Sequence, residues 1–338
     1  MSETPSVATA GSPAARGGTL VTRASLIALV VALVAGSVLP KAIGSVLVMT
    51  LLTQAAISGI FATGVGFLIR QNGVVSFGHA AFYGIACYTI LLALKHQAMP
   101  VEVAIVVALG LPTLLAFLLG LVIVRIPGVA FSMLTLAVGQ AFHEFFIKAR
   151  HVAGGDDGMA VPLPRALFGL GVETFQKPHS MFLICWSILV LLLFALHVLS
   201  CSRFGRLTAA IRENEERARF IGYSTLVPRA MVLALSALIA AIAGALFTLY
   251  NAFVSPEVLH WSLSGSALIM AIIGGPRLLW GPAFGAVVFF FFKDAAGNFT
   301  EQWQAMIGIT LIVVTVMLPA GIGGALLRLG QRLGWVRR

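Results

Sequence analysis

The chain has 338 residues, of which 59% are apolar (AVILMFWYC) and 10% charged, with a mean hydropathy of +1.00. Soluble domains hold about 45–50% apolar and about 25% charged residues, so this composition excludes a soluble enzyme, a disordered chain and a disulfide scaffold. The formal charge of +10 is scattered between apolar runs rather than gathered on a patch, which argues against nucleic acid as a partner.

Residues 1–24, rich in Ser, Thr, Ala, Gly and Pro, read as a disordered cytoplasmic tail. Ten apolar segments follow, judged against the roughly 20 helical residues that cross about 30 Å of hydrocarbon. The first, Ser25–Leu39, has a preceding Arg23 and a small Ala35-Gly36-Ser37 stretch that also suit a cleavable signal, but retention as a span is the expectation. Next come Ser45–Ile69, Gly73–Leu94, Val101–Val124, Val129–Ile147 and Ser180–Leu199. Arg229–Tyr250, Leu263–Gly275, Gly281–Phe292 and Ala305–Pro319 complete the set. The eighth and ninth are short and separated by Gly274-Gly275-Pro276. Such interrupted elements serve membrane carriers where irregular backbone lines a cavity.

Sidedness follows from Lys and Arg, which collect on the cytoplasmic side. With the N-terminus inside, fifteen of the 22 fall inside and seven outside; counting acids gives +11 inside against −1 outside. This supports ten spans with both termini cytoplasmic and residues 321–338 as a basic cytoplasmic tail. Ten spans divide into two sets of five, and an odd number per set inverts one half relative to the other. The fold class expected is therefore an all-α polytopic membrane protein, with broken or short helices at the third and eighth/ninth spans.

Two connections are longer than turns. The external one, residues 148–179, carries Gly154, Gly155, Asp156, Asp157 and Gly158, a stretch suited to turns with positive φ and to docking or gating. It lacks the spaced oxygen ligands of a calcium loop. The cytoplasmic one, residues 201–228, is densest in charge. It reads as one or two short helices, with Leu207, Ala210, Ile211, Ala218 and Ile221 as an apolar side and Gly222 as a stop.

Cys87, Cys185 and Cys201 have no CxxC spacing and the seven histidines no metal-ligand spacing, so neither disulfide nor metal is expected. No Gly-Lys dipeptide exists, so a Walker A loop is excluded. Apart from His79, and His143-Glu144 toward a helix end, no apolar span holds an ionisable residue near its middle, whereas proton-coupled carriers keep carboxylates or histidines at mid-depth. The chain must draw on energy from elsewhere or act passively.

The stretch Asn72-Gly73-Val74-Val75-Ser76-Phe77-Gly78-His79-Ala80-Ala81-Phe82-Tyr83-Gly84-Ile85 resembles the LivM-like permease subunits of bacterial branched-chain amino acid ABC importers. Gly154 through Met159, Phe204 through Gly222, and Gly274-Gly275-Pro276 through Gly281–Ala286 agree in the same order, covering about residues 45–320. The resemblance implies leucine, isoleucine and valine as cargo across the inner membrane. It also implies a second homologous permease, two cytosolic ATP-binding subunits and a periplasmic solute-binding protein. This chain would bind no cofactor, ATP being bound by the partner subunits. By position, Glu216, Ala218 and Gly222 match the Glu-Ala-Ala-x-x-x-Gly coupling element that docks on the ATPase, flanked by Arg212 and Glu213; Arg217 replaces the second Ala.

Polar residues in or beside apolar spans, Gln54, Asn72, Ser76, Gly78, His79, Gln140 and Ser266, either line the route or hold helices together; Thr135 belongs with them. Gly281 and Gly285, at GxxxG spacing, favour close helix packing. The same machine carrying urea, short amides or aromatic acids is the nearest alternative, separable by the binding protein's ligand. A self-sufficient carrier is separable by uptake without ATPase subunits.

Overall fold

The computed structural model describes residues 17–42, 44–167, 169–299, 302–318 and 320–332. The long apolar runs become helix, α1 and α4 even across Pro40 and Pro112: α1 (Gly17–Ala42), α2 (Val46–Asn72), α3 (His79–Lys95), α4 (Val101–Ile123), α5 (Val129–Lys148) and α6 (Pro178–Cys201). The charged connection folds as α7 (Arg203–Glu213) and α8 (Glu215–Phe220). It is followed by α9 (Leu226–Asn251), α10 (Trp261–Gly274), α11 (Gly281–Phe299), α12 (Trp303–Met317) and α13 (Gly321–Arg332). Two-residue strands β1 (Met159–Ala160), β2 (Ala166–Leu167), β3 (Leu170–Gly171) and β4 (Phe253–Val254) complete the chain, β1 pairing with β4 and β2 with β3, both antiparallel.

Helices α2, α4, α5, α6 and α9, and the stretch Gln304–Leu326 across α12 into α13, are long and apolar enough to cross a bilayer. Ser25–Pro40, α3 and α10 are shorter apolar helices. Helices α2 and α9 are apolar around their circumference because they are the core, packed on each other and buried along most of their length, with α3 against α9. Helix α4 turns Val103, Val106, Leu114 and Leu118 outward, and α12 does the same with Ile309, Ile312 and Val316. In water such faces would demand a partner; in lipid they are solvated.

Contacts sort the loops to two ends. At the arginine end, Arg212 donates to the Arg70 carbonyl, Asn72 Nδ2 to Arg229 O (2.9 Å) and Thr208 Oγ1 to Gln71 Oε1 (3.0 Å), so residues 203–229 cap the C-terminus of α2. At the sheet end, β1 on β4 ties the 148–177 connection to the end of α9, and Thr53 donates to Pro178 O (3.0 Å).

The ten apolar segments each contain a helix, but three boundaries differ. The third helix starts at His79, not Gly73. Gly73 closes α2 in the left-handed conformation (φ 71°), and residues 73–78 then run back into the bundle as irregular backbone. The ninth is not short: α11 continues through Lys293 and Asp294 to Phe299, 19 residues, leaving α10 as the brief one. Helix α1 begins at Gly17, inside the stretch expected to be disordered, while residues 1–16 lie outside the described residues. Residues 321–332 are helix rather than tail, with Gly321 and Gly323 seated on Gly274 and Gly275; residues 333–338 lie outside the described residues.

The pair Gly281/Gly285 does serve close packing. A side chain at Gly285 would drive into the Met270 carbonyl oxygen, and one at Gly274 into the Gly281 carbonyl. Gly285→Val therefore costs about 3 kcal/mol by overpacking and lowers the amount of folded chain recovered from membranes. Gly297→Val, on the same helix with open space around it, leaves recovery unchanged.

Candidate functional site

Two places gather the polar residues. The first is the break before α3. The carbonyls and amides of residues 75–78, which no helix pairs, find partners on α5 and within the segment itself. Ser132 Oγ donates to Val75 O (2.7 Å), Phe77 N–H to Thr135 Oγ1 (3.3 Å), and Gly78 N–H to Ser76 Oγ (3.3 Å). A Cβ at Gly78 would strike the Thr135 carbonyl, and one at Gly139 would lie 3.1 Å from Gly78 Cα, so both positions require glycine for the backbones to approach. At the first residue of α3, His79 is fully buried, with Nε2 2.6 Å from Ser236 Oγ. The Ser236 proton goes to Gly64 O (2.7 Å), so His79 must donate from Nε2, leaving Nδ1 a bare acceptor with no partner among the described residues. The next amide, Ala80 N–H, donates to Ser264 Oγ of α10 (2.7 Å), so two helices begin head to head inside the bundle.

The second place is the arginine end. Ser202 caps α7 by accepting from Gly205 N–H (3.2 Å), and Asn214 caps α8 by accepting from Arg217 N–H (2.8 Å). Helix α7 buries Gly205, Thr208 and Ile211. Of the expected apolar side, Ile211 and Ala218 are buried, whereas Ala210 and Ile221 face out because the buried stripe falls one helical position away. Gly222, at φ 90°, ends the segment as expected. The exposed tip carries Phe220, Ile221 and Tyr223 at 90, 69 and 53% exposure.

The residue that sequence reasoning missed is Glu215. Its carboxylate accepts from Arg219 Nη2 (2.6 Å), Arg229 Nη1 (2.7 Å) and Thr225 Oγ1 (2.8 Å), bracing α8 to the start of α9. Partial burial alone would raise its pKa, but the Thr225 hydrogen bond and the Arg229 and Arg219 charges outweigh that and hold it below the usual carboxylate value. A depressed folded pKa stabilises the brace at every pH above the free value of about 4.3, and that contribution is lost as pH falls through the lower folded value. The signal was available in sequence as Glu215 four residues before Arg219, but the fourteen-residue step to Arg229 was not.

The remaining expected residues divide clearly. Arg212 braces the segment on α2, while Glu213 and Glu216 are exposed beside the tip and Ala218 is buried under it. Asn72 joins this end rather than the break, lining a cavity of about 110 Å³ with Ile211, Arg212, Glu215 and Arg229. Gln54 is half-buried beside Thr53, toward the sheet end of α2 and apart from both places. Gln140 and Ser266 lie on α5 and α10, one residue after Gly139 and two after Ser264, the residues through which those helices meet the break; they bond within their own helices, to Glu144 and to the Ser262 carbonyl. At the sheet end, Gly154, Gly155 and Gly158 all take positive φ around a 3₁₀ turn, Gly155 buried and Asp156 and Asp157 exposed.

Residues 47–315, most of the chain, match the family described as branched-chain amino acid transport system / permease component. The chain belongs to this family of permeases. It is a multi-pass membrane protein of the ABC-importer class. The high-affinity branched-chain amino acid transport system permease protein LivM of Escherichia coli (strain K12) is 26% identical, covering 92% of this chain and 77% of its own. LivM of Salmonella typhimurium (strain LT2) gives the same figures. The autoinducer 2 import system permease protein LsrC of Salmonella choleraesuis (strain SC-B67) is 26% identical over 58% of this permease and 53% of its own length. No solved structure matches it.

Proposed function

We propose that this permease is one of two homologous membrane subunits of an importer that carries leucine, isoleucine and valine across the bacterial inner membrane. Two separate subunits hydrolyse ATP, and a periplasmic protein delivers the cargo. The observation that carries the reading is the tip Phe220, Ile221 and Tyr223: three large apolar side chains held in water on a segment braced by Glu215 and Arg212. An apolar knob on a rigid, charged base fits a protein groove, and the family supplies an ATPase to provide one. Branched-chain cargo is supported by the two LivM relatives.

The arginine end is cytoplasmic in this reading, since Arg70, Arg125, Arg212, Arg219 and Arg229 converge there. Ten crossings then place both termini inside. The two five-helix halves are inverted copies. Asn72-Gly73-Val74-Val75-Ser76 after α2 is answered by Asn251-Ala252-Phe253-Val254-Ser255 after α9, both with a left-handed second residue (φ 71° and 51°) and a short irregular run before the next helix.

Phe220→Asp and Glu216→Lys are expected to leave the chain inserted but to cut coupled uptake at least tenfold, with the ATPase subunits lost on copurification of the Phe220→Asp variant. Normal uptake by both refutes the coupling role. The ligand bound by the copurifying periplasmic protein decides the cargo, which the LsrC relative shows is not uniform among similar permeases.

A further inference from the structure

The break gives a depth scale. Gly64, whose carbonyl receives Ser236 at the level of His79, is eight residues before the end of α2, and α3 runs sixteen residues from His79 to Lys95. At 1.5 Å per residue, His79 lies about 12 Å from one end of the bundle and about 24 Å from the other. Gly139 of α5 touches Gly78, and Ser264 of α10 touches Ala80, so both helices pass this level. Gln140 follows Gly139 directly on α5, and His143 and Glu144 stand about one turn further; at the start of α10 stand His260, Ser262 and, one turn on, Ser266. The rings of His143 and His260 meet with centroids 5.0 Å apart.

These groups are not packed into the subunit. Glu144 and Ser262 are exposed, and Gln140, His143, His260 and Ser266 are half-buried. Glu144 stands one turn before the end of α5 at Lys148, and a carboxylate, two imidazoles and an amide gathered on the surface of otherwise apolar helices fit water rather than lipid. The side chains are nevertheless organised. Gln140 Nε2 donates to Glu144 Oε1 (3.3 Å) and to His143 Nδ1 (3.4 Å). Ser262 gives both its hydroxyl (2.8 Å) and its amide (3.4 Å) to His260 Nδ1. With both Nδ1 atoms accepting, both neutral rings carry the proton on Nε2. Two imidazole N–H donors thus share one cluster, in which His143 lies close enough to Glu144, Asp156 and Glu257 to feel their negative potential.

We infer that this face of α5 and α10 lines the wet passage against the second permease and binds the backbone of a free α-amino acid. Glu144 takes the ammonium group, and the His143 and His260 Nε2–H groups take the carboxylate. The cargo class rests on the proposed function; the wet face does not.

The test has two arms in the assembled importer. In a Cys201→Ser background, Ser262→Cys and Gln140→Cys are expected to react with a charged, membrane-impermeant thiol reagent at least tenfold faster than Val106→Cys, which replaces an exposed residue on the lipid face of α4. The reagent is applied to either side of the membrane. Equal or slower reaction overturns the passage. In the second arm, Glu144→Gln and His260→Asn are expected to raise the KM for leucine uptake at least tenfold while the periplasmic protein's own affinity is unchanged. KM within twofold of the unmodified importer in both variants overturns the binding role. If the unmodified importer carries no leucine, the amino-acid assignment falls with the proposed cargo, and the labelling arm still decides whether the face is wet.

Discussion

The Glu215→Lys variant inserts into the membrane but loses most of its uptake while the ATPase subunits continue to hydrolyse ATP. The carboxylate is the meeting point of Arg219, Thr225 and Arg229, and Arg229 is nearly buried. Reversing the charge leaves that guanidinium without its partner, which costs about 3 kcal/mol where the remaining charge is buried. The tip helix then moves without carrying α9 along. Glu215→Gln, which keeps the Thr225 contact and loses the charge, falls between. The ratio of leucine taken up to ATP consumed, measured in proteoliposomes with all subunits, reads the effect. An unchanged ratio in the lysine variant refutes the brace.

Ser236→Ala destabilises the chain by about 1–3 kcal/mol, because the His79 Nε2–H is left buried without an acceptor. His79→Leu removes the same donor, so adding Ser236→Ala to it costs little more than the lost bond to Gly64. The difference between the two Ser236→Ala steps is a coupling energy of about 1 kcal/mol or more, read from thermal unfolding of the purified chain in detergent. Additive effects would mean that the ring does not depend on Ser236.

Helix existence was legible because crossing a bilayer needs long apolar runs, and each of the ten segments contains one. The Gly274-Gly275-Pro276 interruption was equally readable, since α10 stops at Gly274 and Gly275 takes φ 105°. The start of α3 was not. Val74, Val75 and Phe77 are as apolar as the helix that follows, and what keeps them irregular is side chains of α5, sixty residues away. The same long-range character hid Arg229 as a partner of Glu215. It also hid His260, whose place beside His143 depends on the chain descending after α9. Gln140 and Ser266 stood out as polar residues in apolar segments, one turn from His143 and Ser262 on their own helices, and the meeting of the two groups through His143 and His260 came only with the fold.

The bond from Ala80 N–H to Ser264 Oγ joins α3 and α10 within their first turns. One rod points to each surface, and neither can tilt far without dragging the other's root. A joint inside the slab between rods of opposite heading acts as a fulcrum: leaning that widens the space at one face narrows it at the other.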